Sequence, residues 1–336
     1  MGVGGFWNFL RSHANGCFLH DDQVSLGGLQ FCIDGTMLLT SALKATITLE
    51  DDAWMATFVG DVLRRVDRVV ALTGKVPIVV LDGDHPACKS HAHEQRAKAR
   101  ALSEGRLTLC ISSGDIDGAL RAKKAICRIT PDIEGVVIRA LIAAGVDVQR
   151  ASGEAESHCA RMCLSGDAWG VVGEDCDTLI CGAPWLLRGI CQGGRLCLVD
   201  RDTMLKELDL SPIQLRWLAA FSGSDFHPGV QRVGPSRARK LVLPHRDPGT
   251  TLSSLVEDSS IHPGLQLAME QFGDWDVDSD VCEEIVGATL NALQRCIMAV
   301  MMHRVVPTPQ ALNWNEVANE FAMENVDMSN SLRAMG

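Results

Sequence analysis

Residues 29–35, LQFCIDG, and residues 77–83, PIVVLDG, are short apolar runs that each close on an aspartate followed by glycine. Runs of that length, bounded by turn-forming residues, read as strands buried on both faces, the kind found in parallel sheets. Outward from them, VDVQRA (146–151) and AWGVVGED (168–175) read as further strands, with a helix opening at Glu154 between them. Residues 53–72 set Trp54, Phe58, Val62, Val66 and Val69 at helical spacing. Strands alternating with helices predict an α/β domain, a mostly parallel central sheet flanked by helices. Each strand delivers its acids near its C-terminal end, where open parallel sheets build ligand sites.

Between the second and third of these strands the character changes. Residues 86–130 hold nine bases (Lys89, Arg96, Lys98, Arg100, Arg106, Arg121, Lys123, Lys124 and Arg128) and four acids. They read as two amphipathic helices joined near ISSGDIDG (111–118), too long for an ordinary crossover. Residues 229–246 carry five bases and no acid around the turn signal VGPS (233–236). Residues 279–304 read as an apolar packing helix, and the tail after Pro309 as polar. There are no internal repeats.

Composition bounds the classes. Apolar residues are 46% and charged residues 22% of 336, enough for a packed core. No apolar run approaches a membrane span, and the opening MGVGGFWNFLRSHANG lacks the pattern of a secretory signal, so an intracellular protein without a membrane partner is expected. Thirteen cysteines are scattered and odd in number. His158, Cys159 and Cys163, or Cys176 and Cys181, do not make a paired zinc set, and buried reduced thiols are expected. The net charge of −11 is concentrated in residues 245–336, which hold 14 acids and four bases. The remainder is close to neutral, so the overall sign does not exclude a nucleic-acid partner.

Seven carboxylates stand out: Asp34, Asp82, Glu154, Glu156, Asp175, Asp177 and Asp225. Four form i,i+2 pairs in GEAES (153–157) and GEDCD (173–177). Singly, each reads as a solvated acid or a helix cap. Together they would repel one another unless cations intervened. Hard divalent ions favour such oxygen donors, and two of them stabilise both the attacking and the leaving oxygen of a phosphodiester.

Here the chain resembles the flap-endonuclease/XPG family of structure-specific 5′ nucleases, from Met1 to about residue 243. The opening MGVGGFWNFL, FCIDG, VVLDGDHPACK, ASGEAESHCA, VVGEDCDTLICGAP and FSGSDFHPGVQRVGPSRARKLV follow the family's motifs in order. The resemblance implies a PIN-like 5′-nuclease fold with a helical arch and a helix–three-turn–helix. It divides the chain into an N-terminal nuclease region (1–100), an arch insertion (86–130) and an internal nuclease region (131–225). A helix–three-turn–helix with C-terminal helices (226–305) and a tail (306–336) complete it.

By position, the resemblance makes the seven acids metal ligands or near neighbours of ligands. Asp34, Asp82, Glu154 and Glu156 mainly serve one Mg2+, and Asp175, Asp177 and Asp225 the other, with Mn2+ able to substitute. Lys89 and Arg96 match the basic pair at the arch base that holds the scissile phosphate, and Gly2 the glycine beside the site. Lys98, Arg100, Lys123, Lys124 and Arg128 would line a passage for single strand. Gly229, Gly234, Arg237, Arg239 and Lys240 would hold duplex backbone, with K+ in the same loop. The implied partner is branched or flapped DNA, bound by a monomer in the nucleus, with the cytoplasm as the alternative.

Three departures from the family pattern matter. Thr40 replaces an aromatic that stacks on a base, so stacking is expected to be lost or moved to Trp7 or Phe6. Gly173 replaces Ser or Thr and should loosen its strand end. The tail lacks a basic run and a sliding-clamp box, which predicts clamp independence. An RNA-directed nuclease on the same fold and a catalytically silent scaffold are the alternative readings.

Overall fold

The computed structural model describes residues 2–20, 25–49, 54–83, 90–191, 195–245, 252–256 and 259–272. Seven strands form one sheet in the order β1-β7-β6-β5-β2-β3-β4. They are β1 (Phe18–His20), β2 (Phe31–Asp34), β3 (Ile78–Leu81), β4 (Val148–Arg150), β5 (Gly170–Val172), β6 (Trp185–Arg188) and β7 (Cys197–Asp200). From β4 to β6 every pairing is parallel, and only β7 and β1 run antiparallel to their neighbours. The four strands expected from sequence, β2, β3, β4 and β5, are neighbours in the parallel part of the sheet, with β4 at its edge. Their core-facing alternation is weak because both faces are covered.

One face is packed by α2 (Gly35–Thr46), α3 (Trp54–Thr73) and α6 (Pro131–Ala143). The stripe Trp54, Phe58, Val62, Val66 and Val69 of α3 is buried as its spacing predicts. Burial of each such side chain stabilises by about 1.5–3 kcal/mol. Thr130 caps α6, its hydroxyl accepting from the Ile133 N–H at 3.4 Å, and Pro131 sits at the first helical position. The other face is packed by α1 (Phe6–His13), α7 (Ala155–Leu164), the short α8 (Asp177–Ile180), α9 (Arg201–Leu208), α10 (Pro212–Ser222) and α11 (Pro235–Val242). Trp217 and Phe221 of α10 are fully buried there.

Residues 90–126 stand apart as a hairpin of α4 (Ser90–Ser113) and α5 (Ile116–Ile126), packed chiefly on each other. Asp115 caps α5 by accepting from the Gly118 N–H at 2.8 Å. The expectation of two amphipathic helices holds for α5, which buries Ala119 and Ala122. It does not hold for α4. Leu102 and Leu109 are exposed on one face and Ile111 on another, because among the described elements α4 packs chiefly on α5 and has no core to face. After α11 come α12 (Leu252–Leu255) and α13 (His262–Gln271), the latter against α10. The packing helix expected at 279–304 and the tail lie outside the described residues, as does the sequence bearing on the clamp box.

Candidate active site

Because β3, β2 and β5 are adjacent and parallel, their C-terminal ends emerge at one edge. The strand order reverses direction between β2 and β5, the place where such sheets bind ligands. Asp34 closes β2, Asp82 follows β3, and GEDCD follows β5. Backbone donors hold these acids. Asp34 caps α2, accepting from the Met37 N–H at 3.0 Å. Asp82 accepts from the Ala155 N–H at 2.8 Å, while its own N–H donates to Thr36 Oγ1 at 3.0 Å. Asp82 is therefore pinned between the start of α2 and the start of α7. Glu154 is the N-cap residue of α7 and Glu156 lies in its first turn, where the helix dipole favours negative charge.

Two groups of potential ligand atoms result, each with its atoms within 4.8 Å of one another: Asp82, Glu154 and Glu156, and Asp175, Cys176 and Asp177. Asp34 and Asp225 fall outside both groups at that distance. Asp177 is buried, accepts from the Val3 N–H at 3.3 Å and from the Cys176 thiol at 3.5 Å. Burial, then the neighbouring charges of Asp175 and Asp225, push its carboxyl well above the usual carboxylate range. Such mutual repulsion among oxygen donors is what a hard divalent cation relieves, so the donor set fits Mg2+ or Mn2+.

Gly2 belongs to this site. At φ 69° it passes so close to the acids that a Cβ would lie 1.9 Å from Asp175 Oδ1 and 2.6 Å from Asp177 Oδ1. Arg96 on α4 forms an ion pair with Asp225, so the base of the arch touches the acidic edge. Lys89, its expected partner, lies outside the described residues.

The other sequence-predicted bases divide. Arg100 lies on the half-buried side of α4, while Arg128, Arg237 and Lys240 are exposed. Lys98 is paired with Glu94 at 2.7 Å on the exposed side of α4. Lys123 donates to the Leu49 carbonyl at 3.4 Å, and Lys124 is half-buried beside it. Arg239 departs from expectation: its Nε donates to the Leu208 carbonyl at 2.7 Å, committing it to joining α11 to α9. Gly229, at φ 79°, crosses Gly223 so closely that a Cβ would lie 2.4 Å from its nitrogen. Gly234 is the N-cap residue of α11, with Pro235 following. Gln214 ties this segment to α10 by donating to the carbonyls of Val242 at 3.1 Å and His245 at 2.7 Å.

The two aromatics to which stacking could have moved are both engaged within the chain. Phe6 is wholly buried, and Trp7 lies under the Arg188 guanidinium, 3.8 Å from its ring centre. Arg188 in turn pairs with Glu174 at 3.4 Å. Glu174, the first acid of GEDCD, accepts from the Gly189 N–H at 2.8 Å and acts as an anchor. Nothing local signals this role, since Glu174 and Asp175 look alike until the chain turns. Cys176 was likewise legible only as a core thiol.

Gly173 is not loosened in its hydrogen bonding, because its N–H donates to the Leu187 carbonyl at 3.1 Å. A Cβ there meets only ordinary contacts, Leu186 at 3.4 Å and Asp34 at 3.9 Å, and its φ is not in the left-handed region. Gly173→Ala should therefore raise stability by about 0.4–1 kcal/mol, through the lost freedom of the unfolded chain. Urea melts of the two proteins measure this, and a lowered midpoint would contradict it.

Residues 1–103 match the XPG N-terminal domain and residues 145–225 the XPG I-region, together more than half of the chain. Flap endonuclease 1 of Korarchaeum cryptofilum is 30% identical over 204 residues, covering 56% of this chain and 60% of the relative. Flap endonuclease 1 of Tetrahymena thermophila is 27% identical over 266 residues, covering 76% and 69%. The chain thus spans roughly three-fifths to two-thirds of the curated relatives it matches. Among solved structures, flap endonuclease-1 from Methanococcus jannaschii aligns with a TM-score of 0.57 at 24% identity, over 76% of this chain and 82% of that one. The catalytic core of Rad2 in complex with DNA substrate aligns with a TM-score of 0.57 at 19% identity, over 83% and 89%. At these identities the structural likenesses bear on the fold alone. No described helix is long and apolar enough to cross a membrane.

Proposed function

We propose that this chain, which belongs to the flap-endonuclease/XPG family, is a divalent-metal-dependent 5′ nuclease that cuts phosphodiester bonds where single strand meets duplex. The observation that carries this reading is the pair of acid groups gathered at one sheet edge with Arg96 reaching in from the arch.

Asp82, Glu154 and Glu156 would hold one ion, with Asp34 beside them. Asp175 and Asp177 would hold the other, with Asp225 near. When bound, the ions supply Lewis-acid stabilisation of charge on the reacting oxygens. The chain's own residues do the rest. Val3, Met37 and Ala155 donate backbone N–H groups that fix three of the carboxylates before any substrate arrives. Arg96, which reaches the acidic edge at Asp225, would hold the scissile phosphate, as Lys89 would from the same segment. Arg237 and Lys240 add sequence-independent attraction for duplex backbone.

In the finer reading the resident ion is Mg2+, with Mn2+ as substitute and K+ in the loop around Gly229. The partner is branched or flapped DNA, met by a monomer in the nucleus without a clamp. The division into nuclease region, arch and helix–three-turn–helix is proposed with it. A second reading, an RNA-directed nuclease, draws support from the burial of Phe6 and the covering of Trp7. With Thr40 in place of an aromatic, Phe6 offers no ring face for stacking, and the half-buried Trp7 has the Arg188 guanidinium against its ring.

The purified chain, given Mg2+ and a panel of flap, nicked, bubble, four-way-junction and RNA substrates, tests both. Cleavage at the flap junction with a 5′-phosphate product is expected. Preference for RNA selects the second reading, and no cleavage of any substrate in Mg2+ or Mn2+ overturns the proposal.

A further inference from the structure

The solvent side of α4 carries a stripe that no described element covers. Lys98, Leu102, Arg106 and Leu109 recur at i, i+4, i+8 and i+11, which places them on one face of the helix. The residues facing α5, among them Arg96, Arg100, Ser103 and Leu107, are half-buried on the opposite side. Leu102 is 77% exposed and Leu109 69%. Single exposed leucines are ordinary, but two on one face, each next to a cation, form a surface of mixed apolar and basic character.

The chain supplies its complement. Residues 274–286 read DWDVDSDVCEEIV, six acids and no base, interleaved with Trp275, Val277, Val281, Ile285 and Val286. Their starting point is fixed by the structure. Phe272, buried just after α13, meets Phe226 edge to face at a centroid distance of 5.2 Å. Phe226 adjoins Asp225, which pairs with Arg96 on α4. The described chain thus reaches Phe272 beside the start of α4. From residue 96 to residue 109 α4 rises roughly 20 Å, and thirteen extended residues reach about 40 Å.

We infer that residues 274–286 dock along the Lys98–Leu102–Arg106–Leu109 face of α4 and compete with nucleic acid for the charge of the arch. The Lys98–Glu94 pair does not stand in the way, because both side chains are largely exposed and such pairs contribute little. Lys98 can exchange Glu94 for an aspartate of the segment at small cost. The docking rests on the geometry and sequence just given. Only its consequence for nucleic acid rests on the function proposed above.

Two measurements on the full chain separate these. Carbodiimide coupling joins a carboxylate directly to an amine, so mass spectrometry should find Lys98 linked to an acid between Asp274 and Glu284. The link should be lost in the double variant Leu102→Gln, Leu109→Gln. No such link, or one formed only between two copies in an isotopically mixed sample, overturns the docking. The second measurement is the affinity for a fluorescent single-stranded oligonucleotide in EDTA. It should rise about tenfold at low salt, and less at high salt, when the six acids become Asn or Gln. The Leu102→Gln, Leu109→Gln variant should also bind tighter. If it binds more weakly, the stripe is itself a nucleic-acid surface and the inference is wrong. If neither the parent nor the variants bind nucleic acid, the nuclease reading fails, while the cross-link reports on docking independently.

Discussion

Asp177→Asn should lower turnover by at least about a thousandfold and, at the same time, make the metal-free protein more stable. The first effect follows from losing one charged donor from the buried group Asp175, Cys176 and Asp177. Ion-borne stabilisation of the transition state is worth several kcal/mol, and each 1.36 kcal/mol is tenfold in rate. The second follows from the repulsion recorded in the carboxyl of Asp177, raised by burial and by Asp175 and Asp225. A carboxyl whose folded pKa is raised contributes stability below the ordinary value near 4. That contribution is lost as pH climbs through the folded value. At neutral pH without metal, Asp177 must either ionise beside like charges or take up a proton, and either burdens the fold. Asn removes the charge, keeps an acceptor for the Val3 N–H, and gains an amide that can donate to Asp175. The metal-free melting temperature should rise by roughly a few degrees at pH 7.5, and the gap should close as pH is lowered toward 4. Thermal melts in EDTA across that range, alongside single-turnover cleavage in Mg2+, measure both. A variant that loses activity and stability together would mean that Asp177 is held by contacts other than those described.

The same contrast explains what could be read from the sequence. The parallel part of the sheet was legible because β2, β3 and β5 lie in apolar runs that end at an acid or glycine, and α3 because its buried stripe keeps strict spacing. The parallel β6 and the antiparallel β7 and β1 were not singled out, although they are no shorter than the strands that were. The grouping of Asp82 with Glu154 and Glu156, and of Asp175 with Asp177, was legible from motif order and strand ends. The roles of Glu174, Arg188 and Arg239 were not. Each is decided by which backbone group or ring a side chain meets across 14 residues or more, and nothing local encodes that. The bases of α4 and α11 share one composition, yet Arg96 turns to Asp225 and Arg239 to Leu208.

A single methyl group at residue 2 should be nearly as damaging as the loss of a ligand. Gly2 sits at φ 69°, where an L side chain costs about 1–2 kcal/mol. Its Cβ would overlap Asp175 Oδ1 at 1.9 Å and press on Asp177 Oδ1 at 2.6 Å. The carboxylates are the parts that must yield, because Val3, Phe6 and Leu10 just beyond are buried in the core and fix the path of the chain. Shifts on the scale of 1 Å at reacting groups cost on the order of a hundredfold in rate. Gly2→Ala should therefore lower turnover by about that factor and weaken metal binding, while leaving the global fold intact, since residue 2 lies at the edge of the packed core. Gly4→Ala supplies the control, for no atom lies within 4 Å of a Cβ there and its φ is not left-handed. Mg2+ titration of single-turnover rates separates the two components. A raised Mg2+ requirement with partial recovery at saturation is expected, because a cation pulls the displaced carboxylates back toward itself. Equal rates for the Gly2→Ala and Gly4→Ala variants would show that the N-terminal turn yields instead of the acids, and that Gly2 has no part in shaping the site.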